Sequence, residues 1–205
     1  MLRRDRVIVA LIVVQCAALA VLKVRSARAV YGTYTVETHI DSAMLVRDTR
    51  SLPDKKYTLV EFGDYQCPPC AHLSSDITKL LTKHPTKLKF CFRHFPLPMH
   101  PLAAYAAYFA EIARGRGVFE RMHSELFGLD TKIGTQQLDA LGRRYGINMD
   151  RLSSSEVAIA NSSVTADISP GNRVTIKGTP TLFLCTPDRK VFRLDSLALV
   201  EQIIN

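Results

Sequence analysis

Two cysteines that enclose two prolines, Cys67-Pro68-Pro69-Cys70, are the residues of this 205-residue sequence that can most directly do chemistry. Two thiols three positions apart can interconvert between a dithiol and a disulfide. The apolar run from Tyr57 to Phe62 precedes them and predicts a buried strand. After Cys70 the apolar residues follow helical spacing, at Leu73, Ile77, Leu80 and Leu81. The pair therefore lies where a strand passes into the N-terminus of a helix.

That position favours a reactive thiolate at Cys67. The first N–H groups of a helix lack intrahelical partners, and the helix dipole favours negative charge there. We therefore expect Cys67 at the N-cap to be the attacking thiol and Cys70, one turn deeper, to be the resolving thiol. Pro68 is compatible with a first helical position. Pro69 removes a second donor, so we expect the pKa of Cys67 to be lowered less than a donor-bearing residue would lower it.

The cysteine pair has two other interpretations. A zinc site needs further ligands at suitable spacing, and the remaining cysteines, Cys16, Cys91 and Cys185, are isolated in the sequence. A purely structural disulfide across so short a loop would constrain little of the unfolded chain. Redox chemistry without a metal or an organic cofactor is the favoured interpretation.

The formal charge of +8 is concentrated near the N-terminus. Residues 1–30 contain six basic residues and one acidic residue, so the other 175 residues carry a net charge of only +3. A basic surface for nucleic acid is therefore not predicted. The length and the apolar fraction of 47% suit one globular domain with additions.

The first thirty residues have the pattern of an export signal or a membrane anchor. A basic start precedes an apolar run from Val7 to Leu22, and residues 7–24 reach the low end of the length that spans a membrane. Ala27-Arg28-Ala29 has the form of a cleavage site, but basic residues crowd the region before it. We favour an uncleaved anchor in the inner membrane, with cleavage near Ala29 as the alternative. In both cases the body of the protein is exported to an oxidising compartment.

The rest of the chain alternates strands and helices. Residues 31–50 are interpreted as a linker with a possible edge strand near Met44–Val46, and Leu88–Phe95 as the second core strand. A helical block follows, then a third strand at Thr181–Cys185, a hairpin strand at Lys190–Leu194 and a last helix capped by Ser196. Three histidines, His94, His100 and His123, are taken as structural or surface residues, with the first two the better candidates to lie near the cysteines.

This order resembles the thioredoxin fold, and the inserted helices resemble its DsbA-like branch of thiol:disulfide oxidoreductases. The resemblance covers about residues 58–204. It depends on four motifs in combination: Glu61–Cys70, Phe92–Leu97, Met99-His100-Pro101 and Gly178–Thr181. The implied fold class is α/β, a mixed central sheet built as βαβ then ββα. The predicted domains are a signal segment at 1–30, a linker at 31–50, and a thioredoxin-fold domain at 51–205 with a helical insertion at about 98–172.

The resemblance also implies roles for single residues. Cys67 and Cys70 would form the redox-active disulfide, and Pro180 would be a cis-proline packed against them. The backbone of Thr179 would pair with a bound peptide, and Pro68 and Pro69 would face it. Glu61 would be a buried acid that shuttles the proton of the resolving thiol, since a carboxyl group in an apolar strand has a raised pKa. The alternative is that Glu61 is a surface residue at a strand end.

Two features depart from the family pattern. Pro170, in Ser169-Pro170-Gly171, is expected to kink or end its helix and to reshape the groove beside the site. Cys185 and Cys91 are expected on strands that flank the first core strand, too far apart for a disulfide, and both are predicted to be reduced and catalytically idle.

The leading hypothesis is an exported thiol:disulfide oxidoreductase, most simply an oxidase that donates disulfides to cysteine-containing exported proteins. It would work in the bacterial periplasm with a membrane redox partner that restores the site. A reductase or isomerase uses the same residues at a different redox poise. A non-enzymatic client-binding module is the alternative from another class, and a peroxide-reducing enzyme is a third possibility.

Overall fold

The computed structural model describes residues 34–37, 39–46, 56–132 and 134–205. Five strands form one mixed sheet in the order β1-β5-β4-β2-β3. The strands are β1 Tyr34–Val36, β2 Tyr57–Gly63, β3 Leu88–His94, β4 Thr181–Cys185 and β5 Val191–Leu194. Strands β2 and β3 are parallel, and the other neighbours are antiparallel. The predicted order of βαβ, helical block and ββα is confirmed.

Seven helices accompany the sheet in the described part of the chain. They are α1 Ser42–Leu45, α2 Pro68–Lys83, α3 Ala103–Gly115, α4 Phe119–Phe127, α5 Thr135–Arg144, α6 Ser154–Arg173 and α7 Ala198–Ile204, with a short 3-10 turn at Met149–Arg151. Helix α2 joins β2 to β3 as the crossover of the parallel pair. Helices α3 to α6 form the inserted block.

Strand β2 is buried on both faces because helices cover each side of the sheet. Leu59 packs with Ile77 and Leu80 of α2 and with residues of α7. Val60 and Phe62 point the other way, into a cluster with Val174 beyond the end of α6. A third cluster fills the helical block and includes both cysteines of the Cys-Pro-Pro-Cys loop. The site therefore lies where the sheet meets the helical block.

Two predicted details near the ends of the fold are wrong. Residues 42–45 form the short helix α1 and not an edge strand near Met44–Val46, and the edge strand is instead β1. The Asp41 side chain accepts a hydrogen bond from the Ala43 N–H at 2.9 Å, which starts the helical turn. At the last helix the cap position belongs to Leu197, while the Ser196 hydroxyl accepts from the Ala198 N–H at 3.2 Å.

Pro170 was predicted to kink or end its helix, and the second of these outcomes is wrong. Helix α6 continues to Arg173, and the Val174 N–H still donates to the Pro170 carbonyl at 3.0 Å. A proline at this position removes one helical N–H donor and crowds the carbonyl four residues before it, so tertiary packing must offset the cost of continuing the helix. The next residue, Gly171, lies so close to Phe95 that a Cβ there would meet its ring at 2.7 Å. Glycine is therefore required where α6 packs on the end of β3.

Cys91 and Cys185 lie on β3 and β4, the two strands that flank β2. Neither forms a disulfide in this structure, and their catalytic idleness stays a prediction. Burial raises the pKa of Cys185 to about 12, which keeps its thiol protonated.

The predicted membrane or signal segment at residues 1–30 lies outside the described residues, whereas twelve of the twenty residues of the predicted linker are described. Within the described ranges, no helix is both long enough and apolar enough to cross a bilayer.

Candidate active site

Cys67 occupies the N-cap of α2, as the sequence predicts. Its backbone is extended, with φ −82° and ψ 115°, and Pro68 and Pro69 fill the first helical positions. Cys67 is 4% exposed and Cys70 is fully buried, whereas the two prolines between them are exposed. A partner can therefore approach the site over the prolines, and of the two sulfurs only that of Cys67 lies near the surface.

The two thiols have opposite acidities. A hydrogen bond from the Cys70 thiol outweighs the opposing effect of burial and, with smaller contributions from the Thr179 side chain and then the Cys70 backbone N–H, lowers the pKa of Cys67 to about 6. The same thiol–thiol bond, followed by burial and the nearby Glu61, raises the pKa of Cys70 far above its usual range. Cys67 is therefore the thiolate at neutral pH, and Cys70 holds its proton and donates it to the Cys67 sulfur.

The loop before β4 closes the site from the other side. The Thr179–Pro180 peptide bond is cis, as expected, and the Thr179 carbonyl accepts a hydrogen bond from the Cys67 thiol at 3.2 Å. The Thr181 hydroxyl donates to the Gly178 carbonyl at 2.7 Å and fixes the turn. The structure thus brings Thr179 to the sulfur of Cys67, 112 residues away in sequence.

Glu61 is buried, so the alternative of a surface residue is wrong. Its side chain is 1% exposed and, by strand alternation, lies on the same face of β2 as Leu59, the face that α2 covers. Burial raises the pKa of Glu61 to about 8, an effect partly offset by the Cys70 thiol and increased by charge on Cys67. Neither carboxyl oxygen has a hydrogen bond of ordinary geometry among the described residues. A protonated carboxyl group next to the Cys70 thiol can exchange protons with it.

Asp64 is a site residue that the sequence analysis missed. Its carboxylate is fully buried, three positions before Cys67. It accepts hydrogen bonds from the N–H of Gln66 at 2.7 Å and of Leu97 at 2.8 Å, and it contacts His100 Nδ1 at 2.7 Å. The signal that could have identified it is its position, because it directly follows an apolar strand and begins a loop. An aspartate in such a position often accepts a hydrogen bond from the backbone N–H two residues later.

Gln66 was also missed and fastens the loop to the helical block. Its amide oxygen accepts from the Leu102 N–H at 2.5 Å, just before α3. Its amide nitrogen donates to the Thr131 carbonyl at 3.2 Å. The loop that carries Cys67 is therefore held by two of its own side chains, both contacting segments that are distant in sequence.

The three histidines fall into different surroundings. His100 contacts Asp64 and lies next to the cysteine loop, and it was one of the two histidines named as candidates for that position. His123 is buried in an aromatic cluster. Its Nδ1 lies within hydrogen-bond distance, 3.0 Å, of the Tyr65 hydroxyl oxygen. Burial lowers the pKa of His123 to about 3, so its imidazole is neutral.

His94 belongs to a buried ionic network that connects β3 with α3 and α6. Its Nε2 lies 2.8 Å from Glu111, and its N–H donates to Asp167 at 3.1 Å. Potential ligand atoms of His94, Glu111 and Asp167 lie within 4.8 Å of one another, the spacing of a metal site. However, Arg114 donates to Glu111 at 3.1 Å and Arg93 to Asp167 at 2.8 Å. Two guanidinium groups already balance the carboxylates, which favours a structural role.

The chain matches the protein-family model described as Thioredoxin over residues 53–203. Its described part resembles DsbA of Xylella fastidiosa, an oxidoreductase, with a TM-score of 0.52 and 23% identity over 68% of this chain and 76% of that one. It also resembles a periplasmic thioredoxin-like protein of Salmonella enterica serovar Typhimurium, with a TM-score of 0.60 and 19% identity over 82% of this chain and 97% of that one.

The curated sequence relatives are named as antiporters, unlike the solved structures. The Na(+)/H(+) antiporter NhaA 1 of Salinispora arenicola is 33% identical over 146 residues, which is 68% of this chain and 21% of the antiporter. The chain thus spans about a fifth of the length of the curated relatives it matches. The solved relatives share the fold of this chain. Since the family model covers most of the chain, the chain belongs to the thioredoxin family.

Proposed function

We propose that Cys67 and Cys70 exchange disulfides with protein substrates and that the protein acts mainly as an oxidase, a disulfide donor. The observation that carries this proposal is the contrast between the two thiols. The pKa of Cys67 is lowered to about 6 at a helix N-cap, while the pKa of Cys70 is raised behind it. A stabilised thiolate favours the reduced form of the couple, and a couple whose reduced form is favoured is oxidising.

The reaction starts from the Cys67–Cys70 disulfide. A substrate thiolate attacks the Cys67 sulfur, a substrate–Cys67 disulfide forms, the Cys67–Cys70 bond breaks and Cys70 leaves with the electron pair. The carboxyl group of Glu61 supplies the proton that Cys70 takes up. A second substrate thiolate then attacks the substrate sulfur of the mixed disulfide and releases Cys67 as its stabilised thiolate. The substrate loses two electrons, which the cysteine pair gains.

The loop of Thr179 and Pro180 is proposed as the surface on which the substrate lies. Its carbonyl reaches Cys67 in the thiol form. Because Cys67 has no thiol hydrogen to donate when it is a thiolate or part of a disulfide, that carbonyl is then free to accept from a substrate N–H. The exposed Pro68 and Pro69 form the opposite side of the approach.

The substrates are proposed to be cysteine-containing exported proteins, in agreement with the periplasmic relative. A membrane redox partner would take the two electrons from the reduced site and restore the disulfide. The apolar stretch at residues 7–24 is proposed to hold the protein at the inner membrane. Such a donor would act in an oxidising compartment, where exported substrates form and keep their disulfides.

Disulfide transfer to a reduced dithiol peptide tests the proposal. Full-length oxidised protein should oxidise one equivalent of peptide and become reduced. A Cys67→Ser variant should lose this activity, whereas a Cys91→Ser variant should retain it, because Cys91 lies in the sheet and takes no part in the exchange. Retention of the physiological role by Cys67→Ser would instead indicate a client-binding module.

A further inference from the structure

The contact between Asp64 and His100 is not used by the exchange reaction, although it lies beside the site. The Asp64 carboxylate is fully buried, and its backbone carbonyl accepts the Cys67 N–H at 3.1 Å. His100, whose side chain is 20% exposed, contacts the carboxylate at 2.7 Å from a loop between β3 and α3. One buried carboxylate thus links two segments that are 36 residues apart in sequence.

A buried carboxylate is costly unless its charge is balanced. Two backbone N–H groups satisfy its hydrogen bonds, but they carry only partial charge. Among the described residues, no lysine or arginine forms an ion pair with Asp64, and His100, which is charged only when protonated, is its partner there.

The charge on Asp64 reaches Cys67. The carboxylate raises the pKa of Cys67, against the larger lowering from Cys70. Anything that neutralises Asp64 therefore stabilises the Cys67 thiolate. The other titratable groups that face the two sulfurs are Glu61 and the sulfurs themselves, and none of them contributes positive charge.

We propose that Asp64 and His100 are a positioning pair, in which Asp64 shapes the cysteine loop and His100 offsets its charge, so that His100 sets the redox equilibrium of the Cys67–Cys70 couple. This inference rests on the proposed redox function of the two cysteines. It predicts that His100, without contacting either sulfur, makes the Cys67–Cys70 couple more oxidising.

The test is the equilibrium of the full-length protein with reduced and oxidised glutathione, together with titration of the Cys67 thiolate by its ultraviolet absorbance. His100→Gln keeps a hydrogen-bond donor but loses the charge. It should raise the thiolate midpoint and shift the equilibrium constant about threefold to tenfold towards the protein disulfide. His100→Lys, which keeps a positive charge, should restore most of the wild-type behaviour.

A double-substitution cycle separates charge from packing. Asp64→Asn removes the negative charge and should move both readouts in the opposite direction to His100→Gln. In the Asp64→Asn background, adding His100→Gln should change the equilibrium constant less than twofold. If His100→Gln does not fold, Asp64→Asn alone tests the same charge with the opposite sign.

The matched control is His84→Gln. His84 contacts Glu201 at 3.2 Å, also a histidine–carboxylate pair, but just beyond the C-terminal end of α2. This substitution should leave both readouts unchanged. The inference is overturned if folded His100→Gln matches wild type, or if its shift persists in the Asp64→Asn background. If wild-type protein forms no Cys67–Cys70 couple at all, the proposed function fails instead.

Discussion

The thiol of Cys67 donates a hydrogen bond to the backbone carbonyl of Thr179 at 3.2 Å. Only the protonated sulfur can make this bond, so it is lost when the thiolate forms. The thiolate is then stabilised chiefly by the Cys70 thiol, with smaller contributions from the Thr179 side chain and then the Cys70 backbone N–H. One sulfur therefore changes partners with its protonation state, which is the physical basis of the first prediction.

Titration of the reduced protein should show one thiolate with a midpoint near pH 6, well below that of an ordinary cysteine. The rate of thiolate attack should fall below that pH, since Cys67 then gains its proton. Cys70→Ala should raise the midpoint because the thiol donor is gone, whereas Cys70→Ser keeps an O–H donor and should raise it less. Equal midpoints in both variants would mean that the Cys70 side chain does not stabilise the thiolate.

The acidity of Glu61 predicts a pH dependence of stability. The pKa of Glu61 is about 8 in the folded protein and about 4.5 when unfolded. The unfolded state therefore binds fewer protons between these pH values, and stability falls as pH rises from about 4.5 to about 8. Glu61→Gln should remove this slope and be more stable than wild type at pH 8, by about a few kcal/mol.

Denaturant unfolding of the oxidised protein across that pH range checks the prediction. The oxidised form is chosen because the reduced Cys67 titrates with the opposite sign, its pKa being lowered on folding. A difference between Glu61→Gln and wild type that does not change with pH would show that Glu61 is ionised throughout.

Gly63, at the end of β2, should not tolerate a side chain. A Cβ there would lie 2.4 Å from the Phe92 ring and 2.9 Å from a Glu61 oxygen. Gly63→Ala should therefore destabilise the protein by about 1–3 kcal/mol through overpacking. Gly115 at the end of α3 is the control, since a Cβ there meets nothing within 4 Å, and Gly115→Ala should be neutral or slightly stabilising. Thermal unfolding compares the two.

Truncation of the buried pair of Arg93 and Asp167 should greatly lower the free energy of unfolding. Their side chains are 6% and 0% exposed, and Arg93 also donates to the carbonyls of Leu45 and Met44. Arg93→Ala leaves a buried carboxylate without this partner and should cost about 3–5 kcal/mol. The exposed pair of Lys79 and Asp76 is the control, and Lys79→Ala should leave the unfolding midpoint unchanged. Similar losses in both variants would contradict the structural role of the network.

Much of this fold could be predicted from local patterns. The apolar run of β2 and the helical spacing after Cys70 predict the strand, the helix and the N-cap, because each depends on residues close in sequence. The helix α1 and the continuation of α6 through Pro170 could not be predicted in this way. Both depend on tertiary packing, such as that of Gly171 against Phe95.

The site was predicted only where a single residue carries its own signal. The cysteines and the Thr179–Pro180 turn were recognised by type and motif. Asp64 and Gln66 were missed because their partners, Leu97, His100 and Leu102, lie about 30 or more residues away and their buried state cannot be read from the sequence.

The reduction potential of the Cys67–Cys70 couple tests the central claim most directly. Full-length protein is equilibrated in glutathione buffers at pH 7, and the oxidised fraction is measured. The proposed oxidase predicts a potential closer to about −120 mV, that of a strong disulfide donor, than to about −270 mV, that of thioredoxin. A value near or below the thioredoxin potential would contradict the oxidase assignment and indicate a reductase that needs a supply of electrons.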